Sequence, residues 1–275
     1  MSCKEIASIC RVNKTFHNLC GHEDYWERQC RRLLYDRFGG HRLVGNPGHP
    51  PGGGTWREYY IWRCMKYPVD NHVSDTIDAA FVGAASQGYL PIVSGLLAVP
   101  GINVNAADNR GSTALIWAAS LNHVDIIPAL LAVPGINVNA ADNRGSTALI
   151  WAASLNHVDI IPALLAVPGI NVNAADNRGS TALIWAASLN HVDIVQAILA
   201  VPGINVNSVD NDGSTALIWA AIEGHIDIVQ AILAVPGINV NSADNRGSTA
   251  LMKAASLNHV DIIPALLAVP GINVN

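Results

Sequence analysis

Residues 108–141 read DNRGSTALIWAASLNHVDIIPALLAVPGINVNAA, and residues 142–175 repeat this stretch residue for residue. The motif VPGINVN recurs with its glycine at intervals of 34 residues, at 101, 135, 169, 203, 237 and 271. A fixed period of this length is typical of repeat architectures, in which one small structural unit is copied along the chain. The sequence therefore predicts six units, at 73–106, 107–140, 141–174, 175–208, 209–242 and 243–275.

Each unit is predicted to open with a turn and a short helix. Gly111 closes a DNRG turn and can adopt the positive φ that such a turn needs. Thr113 precedes ALIWAAS and is a natural N-cap, because its hydroxyl can accept a hydrogen bond from an amide of the first helical turn. Asn122 ends this helix, and Gly88 and Gly224 take its place in units 1 and 5. Exchange of Asn and Gly at one position indicates a left-handed residue after the helix.

A second helix is predicted over residues 124–132, and the VPG motif ends it. The INVN segment that follows alternates apolar and polar residues and is predicted to be extended. Proline lacks an amide donor and clashes with the carbonyl four residues earlier, so we expect a shortened or shifted first turn where it falls inside this helix. Such residues are Pro128, Pro162 and Pro264 in units 2, 3 and 6, against Gln196 and Gln230 in units 4 and 5.

Neither helix is long enough to be stable in isolation, since isolated helices below about 12 residues are marginal in water. Each unit nevertheless carries several large aliphatic side chains, each worth roughly 1.5–3 kcal/mol when buried. Only neighbouring copies can bury them, so the units are expected to stack into an all-α solenoid.

The unit resembles the ankyrin repeat in the pattern DxxGxTxLxxAAxx(G/N)HxDI(V/I)xxLL, which covers about three quarters of the chain. The resemblance implies helix-turn-helix units with extended hairpin loops and a period one residue longer than the family's usual 33. The family's Thr-Pro-Leu-His is Thr-Ala-Leu-Ile at 113–116, which removes the histidine that ties neighbouring turns together. Unit 1 lacks the turn glycine at 75–81, as expected of an end unit beside another domain. Unit 6 has no polar closing repeat after it, so we expect an exposed apolar face there.

Residues 1–72 form a different segment, rich in cysteine, aromatic and basic residues. The run ICRVNKTFHNLC at 9–20, the pair Tyr25-Trp26 and WREYY at 56–60 resemble the second half of an F-box. The family's opening LPxEIL helix has no counterpart in residues 1–8. F-boxes dock onto the small adaptor subunit of SCF-type cullin ubiquitin ligases, so the resemblance implies a small helical domain in a substrate-recruiting adaptor.

An F-box ahead of near-identical ankyrin repeats resembles proteins of the giant DNA viruses of amoebae. The alternative is an ankyrin scaffold or decoy without a link to ubiquitin ligases, in which the N-terminal helices act only as a cap.

Composition excludes several other classes. Residues 1–72 carry 11 Lys and Arg against 7 Asp and Glu, whereas residues 73–275 carry 5 against 14. An acidic array and scattered basic residues argue against nucleic-acid binding. No segment is long and apolar enough for a membrane span, and the N-terminus lacks the apolar core of a secretion signal. The five cysteines include no CxxC pair, which favours a reduced, cytoplasmic protein, in the host cell if it is viral.

Histidine recurs at 123, 157, 191, 225 and 259 and raises the alternative of a metal ladder. Ligands of one metal ion must nearly touch, and equivalent residues of a solenoid lie a whole repeat apart, so a structural role at the start of helix 2 is preferred. The Cys and His residues within 3–30 lack zinc-knuckle spacing, and no nucleophile stands in a recognisable motif. We therefore predict no metal, no cofactor, no catalytic residue and no enzymatic activity.

Tryptophan recurs at 117, 151, 185 and 219, and Lys253 replaces it in unit 6. A ladder for stacking a ligand is one interpretation. Half-buried packing between the two helices is favoured, because ankyrin repeats usually bury this position. The lysine suggests that this end of the array is more exposed.

Partner binding is expected on the concave face of the array, by resemblance to the family, at the hairpin tips and the inner helix. Copies 2, 3 and 4 are identical there, so specificity is expected from the copies that differ. The alternative is recent duplication with little functional tuning. The candidate residues are Asn109, Arg110, Ser112, Ser120 and Leu121 with their copies at steps of 34, then Asp212, Ile222 and Glu223 in unit 5, and Met252 and Lys253 in unit 6.

Overall fold

Short helices account for all the regular secondary structure in the part of the chain that the computed structural model describes, residues 77–98 and 101–274. The described residues up to Asn109 belong to one compact unit, and Arg110–Asn275 form a second. Isolated antiparallel bridges, such as that between Ala141 and Thr147, occur at the hairpins without extending into strands. The predicted all-α fold is confirmed for these residues. The predicted F-box-like segment at 1–72 lies outside them.

The helices follow the repeats in order. Repeat 1 contains α1 (Ile77–Ser86) and α2 (Leu90–Leu97). Repeat 2 contains α3 (Ala114–Ser120) and α4 (Ile126–Leu131). Repeat 3 contains α5 (Ala148–Ser154), a 3-10 turn (Val158–Ile160) and α6 (Ile161–Leu165). Repeats 4, 5 and 6 contain α7 (Ala182–Ser188), α8 (Val192–Leu199), α9 (Ala216–Glu223), α10 (Ile226–Leu233), α11 (Ala250–Ser256) and α12 (Ile262–Leu267).

The predicted caps are present at both ends of the first helices. The hydroxyl of Thr113 accepts a hydrogen bond from the amide of Ile116 at 3.3 Å, and the equivalent threonine caps the first helix in repeats 3 to 6. Asn122 has a φ of 54°, and Gly224 has a φ of 80° at the same position of repeat 5. The exchange of Asn and Gly is therefore explained by a left-handed backbone conformation.

Proline shortens the second helices where it was predicted to do so. These helices have 8 residues in repeats 4 and 5 but 5 or 6 in repeats 2, 3 and 6. The amide of Val195 donates to the carbonyl of His191 at 3.0 Å, whereas the equivalent bond in repeat 2, from Ile127 to His123, is longer at 3.4 Å. In repeat 3 the first turn is 3-10, and the amide of Ile160 donates to the carbonyl of His157, three residues back, at 3.3 Å. The predicted bounds of 124–132 are therefore too long, because α4 begins at Ile126.

The core of the second compact unit lies between neighbouring repeats. Each first helix packs against the first helix of the next repeat and against the second helix of its own. Leu115 and Ile116 of α3 are buried, as are Ile126, Ile127 and Leu130 of α4, and their copies in repeats 3 to 5 are buried too. The prediction that neighbouring copies bury the aliphatic side chains is confirmed.

Repeat 6 has the exposed apolar face that was expected of it. Met252 is 44% exposed, whereas Ile218, its counterpart in repeat 5, is 1% exposed. Leu267 on α12 is 48% exposed. Met252 thus occupies a core position and Leu267 a position that is half-buried in repeats 2 to 5, and no further repeat packs on them among the described residues.

Replacing Pro128, Pro162 and Pro264 together by Gln is expected to raise the melting temperature. Each change restores an amide donor to the first turn of a second helix and gives that repeat the residue of repeats 4 and 5. We expect a gain of about 1 kcal/mol in the free energy of unfolding per site, measured by urea and thermal unfolding. The reverse substitution Gln196→Pro should lower the melting temperature. An unchanged melting temperature in the triple variant would show that the shortened first turns do not lower the stability of the fold.

Candidate functional site

The turn aspartate connects the hairpin tip to the first helix. One carboxylate oxygen of Asp142, Oδ1, accepts hydrogen bonds from the amides of Arg144 and Ser146, both at 2.9 Å. The other oxygen, Oδ2, accepts from the indole Nε1–H of Trp151 at 2.9 Å. Repeats 4 and 5 repeat the indole contact at 2.9 and 2.7 Å. The hairpin therefore fixes the position of the tryptophan ring.

The tryptophans are half-buried, as predicted. Their indole N–H groups, however, donate to the aspartate of the hairpin. The predicted packing between the two helices therefore describes only part of the environment of each ring. The guanidinium Cζ of Arg110 lies 5.6 Å from the ring centroid of Trp117, and repeats 3 and 4 have the same stack at 5.7 and 6.0 Å. These distances are within the range of cation–π attraction.

Lys253 takes over the hydrogen bond of the tryptophan in repeat 6. Its ammonium Nζ lies 2.8 Å from Oδ2 of Asp244, the oxygen that accepts from the indole in the other repeats. The lysine side chain is 21% exposed, so it is less accessible than its charge suggested. The Lys253 ammonium, helped by the amides of Ser248 and Arg246, holds the pKa of Asp244 below its ordinary value, although burial acts in the opposite direction.

Asparagine ties neighbouring hairpins together, in place of the histidine of the family pattern. The amide N–H of Asn177 donates to the carbonyl of Arg144 at 2.8 Å. The side-chain Nδ2 of Asn177 donates to the carbonyl of Asn143 at 3.0 Å. The same two bonds recur at the next two junctions. The copies of Asn109 at 177, 211 and 245 therefore hold neighbouring hairpins together.

A second ladder joins the extended loops and was not predicted from the sequence. The side-chain Nδ2 of Asn139 donates to the carbonyl of Gly169 at 2.8 Å, and its Oδ1 accepts from the amide of Asn171 at 2.7 Å. Asn173, Asn207 and Asn241 repeat this arrangement. Its signal in the sequence is the recurring Asn-Val-Asn. The alternation of polar and apolar residues alone does not show that these asparagines bond across repeats, because any half-exposed extended segment alternates in the same way.

The recurring histidines also bond across repeats. A ring nitrogen of His157 lies 2.8 Å from the carbonyl of Ala119, at the end of α3, and His191 lies 2.7 Å from the carbonyl of Ala153. A carbonyl can only accept, so the ring nitrogen concerned carries the proton. The predicted structural role is confirmed. In residues 77–98 and 101–274, no group of three or more His, Cys, Asp or Glu residues could hold a metal ion.

The predicted partner-binding residues do not all lie at the surface. Arg110 is exposed and Leu121 is 47% exposed, whereas Ser112 is 5% exposed and lies beneath the surface that a partner would touch. The hydroxyl of Ser120, half-buried, donates to the carbonyl of Trp117 at 3.1 Å. Ser112 therefore supports the hairpin and is removed from the candidate set.

The candidate residues of repeats 5 and 6 also include both exposed and less accessible side chains. Asp212 and Glu223 are exposed, and Ile222 is half-buried. Met252 occupies the core position of the last repeat and Lys253 is paired with Asp244, so neither belongs with the exposed hairpin side chains. Asn109 is exposed as well, but its copies hold neighbouring hairpins together. We therefore define the hairpin–helix face by the exposed side chains of repeats 2 to 5 at the positions of Arg110 and Leu121, which are Arg110, Leu121, Arg144, Leu155, Arg178, Leu189, Asp212 and Glu223.

A family model described as ankyrin repeats, three copies, matches residues 81–176, 135–210 and 183–275. The chain belongs to the ankyrin-repeat family. None of the curated proteins compared with this ankyrin-repeat chain matches it. Ankyrin repeats are protein–protein interaction modules and typically not enzymes, so this array is an interaction module. Among its described helices, none is long and apolar enough to cross a bilayer.

Substituting alanine at Gly179 is expected to cost more than the same change at Gly247. Both glycines have a positive φ, of 75° and 79°. A Cβ at Gly179 would lie 2.8 Å from the side-chain oxygen and 2.9 Å from the amide nitrogen of Asn211, whereas one at Gly247 would meet nothing within 4 Å. Both variants carry about 1–2 kcal/mol of left-handed strain. Gly179→Ala should additionally weaken the junction, by about 1 kcal/mol for each hydrogen bond lost.

Urea unfolding measures this difference, and amide hydrogen exchange tests its cause. The amide of Asn211 should lose protection in Gly179→Ala, while that of Asn245 keeps it in Gly247→Ala. Equal protection in the two variants would contradict the proposed clash between hairpins.

The contact between Lys253 and Asp244 is expected to make repeat 6 sensitive to acid. The pKa of Asp244 is lowered in the folded state from its ordinary value of 3.8. A lowered folded-state pKa stabilises the fold above the ordinary pKa, and this stabilisation is lost as the pH falls through the folded-state pKa. The stability difference between the protein and Lys253→Met should thus be largest near about pH 6 and shrink in strong acid. Lys253→Trp, which restores an N–H donor, is the control and should keep most of the stability at neutral pH. A difference that does not change with pH would rule out this electrostatic contribution.

Proposed function

We propose that the hairpin–helix face of repeats 2 to 5 binds a segment of a protein target. The observation that carries the proposal is that successive repeats expose the same side chains, an arginine stacked on a tryptophan and a leucine. In repeat 3 the guanidinium of Arg144 lies over Trp151, and Leu155, 45% exposed, follows four residues after that tryptophan. Residues four apart on a helix share one face, so the stacked arginine and the leucine are presented together.

The residue types on this face suit protein recognition. Arg and Trp are enriched among the residues that dominate binding energy at interfaces. A guanidinium that already rests on an indole ring loses little freedom when it meets a carboxylate of a partner. Repeats 2, 3 and 4 offer the same groups, so we place specificity in repeat 5, where Asp212, Ile222 and Glu223 differ.

We further propose that residues 1–72 connect the array to a ubiquitin ligase. The support is the resemblance of residues 9–20, 25–26 and 56–60 to the second half of an F-box. In this scheme the segment docks on the small adaptor subunit of an SCF-type cullin ligase in the cytoplasm and the array presents the target. Such an architecture suits a giant-virus protein that redirects a host ligase.

Site-specific photocrosslinking tests the binding face. A benzoylphenylalanine at Leu189 lies on the hairpin–helix face, whereas one at Gln196 lies on the exposed side of α8 in the same repeat. Incubation of the full chain with host-cell extract should yield discrete crosslinked products from position 189 and none from position 196. Equal products from the two positions, or none from either, would argue against the face.

Binding of the full chain to the purified adaptor subunit tests the ligase connection. Replacing Leu19 by Asp and Trp26 by Ala should abolish it, because both residues belong to the F-box-like motif. Arg178→Asp in the array is the control and should leave adaptor binding unchanged. Absence of binding by the unmodified full chain would leave the scaffold or decoy alternative.

A further inference from the structure

Repeat 5 reverses the charge of the hairpin–helix face. Asp212 stands where repeats 2 to 4 have arginine, and Glu223 stands where they have leucine. Trp219 is retained, and its indole N–H donates to Asp210 at 2.7 Å, as in the neighbouring repeats. The indole ring is therefore kept, while the arginine that stacks on it in repeats 2 to 4 is replaced by an aspartate.

Within the part of the chain that the structure describes, no cation lies over the indole ring of Trp219. In repeats 2 to 4 a guanidinium lies 5.6–6.0 Å above the indole ring. Among the described residues, no Arg or Lys side chain stacks on Trp219, and neither Asp212 nor Glu223 forms an ion pair. Both carboxylates are exposed and Trp219 is half-buried.

The two carboxylates come from different elements next to the indole, Asp212 from the hairpin and Glu223 from α9. Asp212 occupies the hairpin position from which Arg178 reaches over Trp185 in repeat 4. Glu223 lies four residues after Trp219 on α9 and thus on the same helix face. A cation over the ring would meet an aromatic surface and carboxylates from both the hairpin and the helix.

We propose that repeat 5 binds an arginine side chain of the protein partner, stacked on Trp219 between Asp212 and Glu223. This inference rests on the proposed function, because the partner must lie on the hairpin–helix face. The partner's guanidinium would take the place that the chain's own arginines take in repeats 2 to 4. Arginine fits better than lysine, since its planar guanidinium can stack on indole while its edge donates to carboxylates.

The charge pattern gives the partner a direction. Arg144 and Arg178 present cations along repeats 3 and 4, and repeat 5 presents anions. Consider a partner segment that places acidic residues opposite Arg144 and Arg178 and an arginine opposite Trp219. In this orientation each of these charges meets an opposite charge, whereas in the reverse orientation like charges face each other.

Arg246 is the competing occupant within the chain. It is exposed on the hairpin of the next repeat, and that repeat has Lys253 instead of a tryptophan. Its backbone amide donates to Asp244 at 3.0 Å, and among the described residues its guanidinium forms no ion pair with Asp212. The site is therefore available to a partner in this structure.

The first test uses N-acetylarginine amide and N-acetylcitrulline amide, which are nearly isosteric and differ in charge, as probes of the full chain. The indole Nε1–H resonance of Trp219, assigned with Trp219→Phe, should shift in a saturable way with the arginine probe. The citrulline probe should bind at least about threefold more weakly, because the cation–π attraction is lost. Equal binding of the two probes, or no shift with arginine, would overturn the proposal.

The array supplies matched variants for a second test. Asp212→Arg combined with Glu223→Leu places at these two positions the residues of repeats 2 to 4, and it should abolish the arginine-dependent shift. The reciprocal change in repeat 4, Arg178→Asp with Leu189→Glu, should create a second arginine site at Trp185. Persistence of binding in the first variant, or failure of the second to gain a site, would overturn the assignment. Binding that emerges only in Arg246→Ala would also overturn the proposal, because the chain's own arginine would then occupy the site.

These tests separate this inference from the proposed function. Crosslinks from position 189 without an arginine-dependent shift at Trp219 would remove only the arginine site. A shift without crosslinks would leave an arginine site but remove the proposed binding face.

Discussion

The backbone amide of the hairpin asparagine donates to a carbonyl of the preceding repeat, and this hydrogen bond sets the register of the array. At the junction of repeats 3 and 4 it joins Asn177 to Arg144 at 2.8 Å. The approach is so close that a Cβ on Gly145 would lie 2.7 Å from the amide nitrogen of Asn177. Helices of 5 to 10 residues, the range found in the described chain, depend on such junctions because they cannot persist alone.

The same register produces the candidate binding surface. Once the hairpin is fixed, Asp142 holds the indole of Trp151, and the indole supports the guanidinium of Arg144. Structural groups and the candidate binding groups are thus connected: a half-buried carboxylate anchors an aromatic ring, which in turn orients an exposed cation. Repetition makes this surface uniform over repeats 2 to 4. Repeat 5 departs from this uniform surface, above all at Asp212 and Glu223, and it is there that we propose a partner is recognised.

Local features of the fold were predictable from the sequence, and contacts between distant residues were less so. Thr113, Asn122 and Pro128 act on the backbone next to them, so residue type and position sufficed. The burial of Ser112 was not predictable from residue type, because it depends on how the hairpin folds over the first helix. The Asp142–Trp151 bond was also missed, since identical copies hide which residues belong together. In repeat 6, Lys253 replaces the tryptophan and pairs with the equivalent Asp244. This replacement of an N–H donor by a cation is the sequence signal that the two positions are in contact.

Each repeat of the array is stabilised by its immediate neighbours, so the interior junctions are equivalent and local. The most direct test is urea unfolding of a chain from which residues 142–175 are removed, because this excision joins Ala141 to Asp176 and recreates an identical junction. We predict a folded protein with a lower unfolding midpoint and a smaller dependence on urea, in keeping with the smaller surface that unfolding exposes. An unfolded chain, or one whose midpoint is unchanged, would contradict this account.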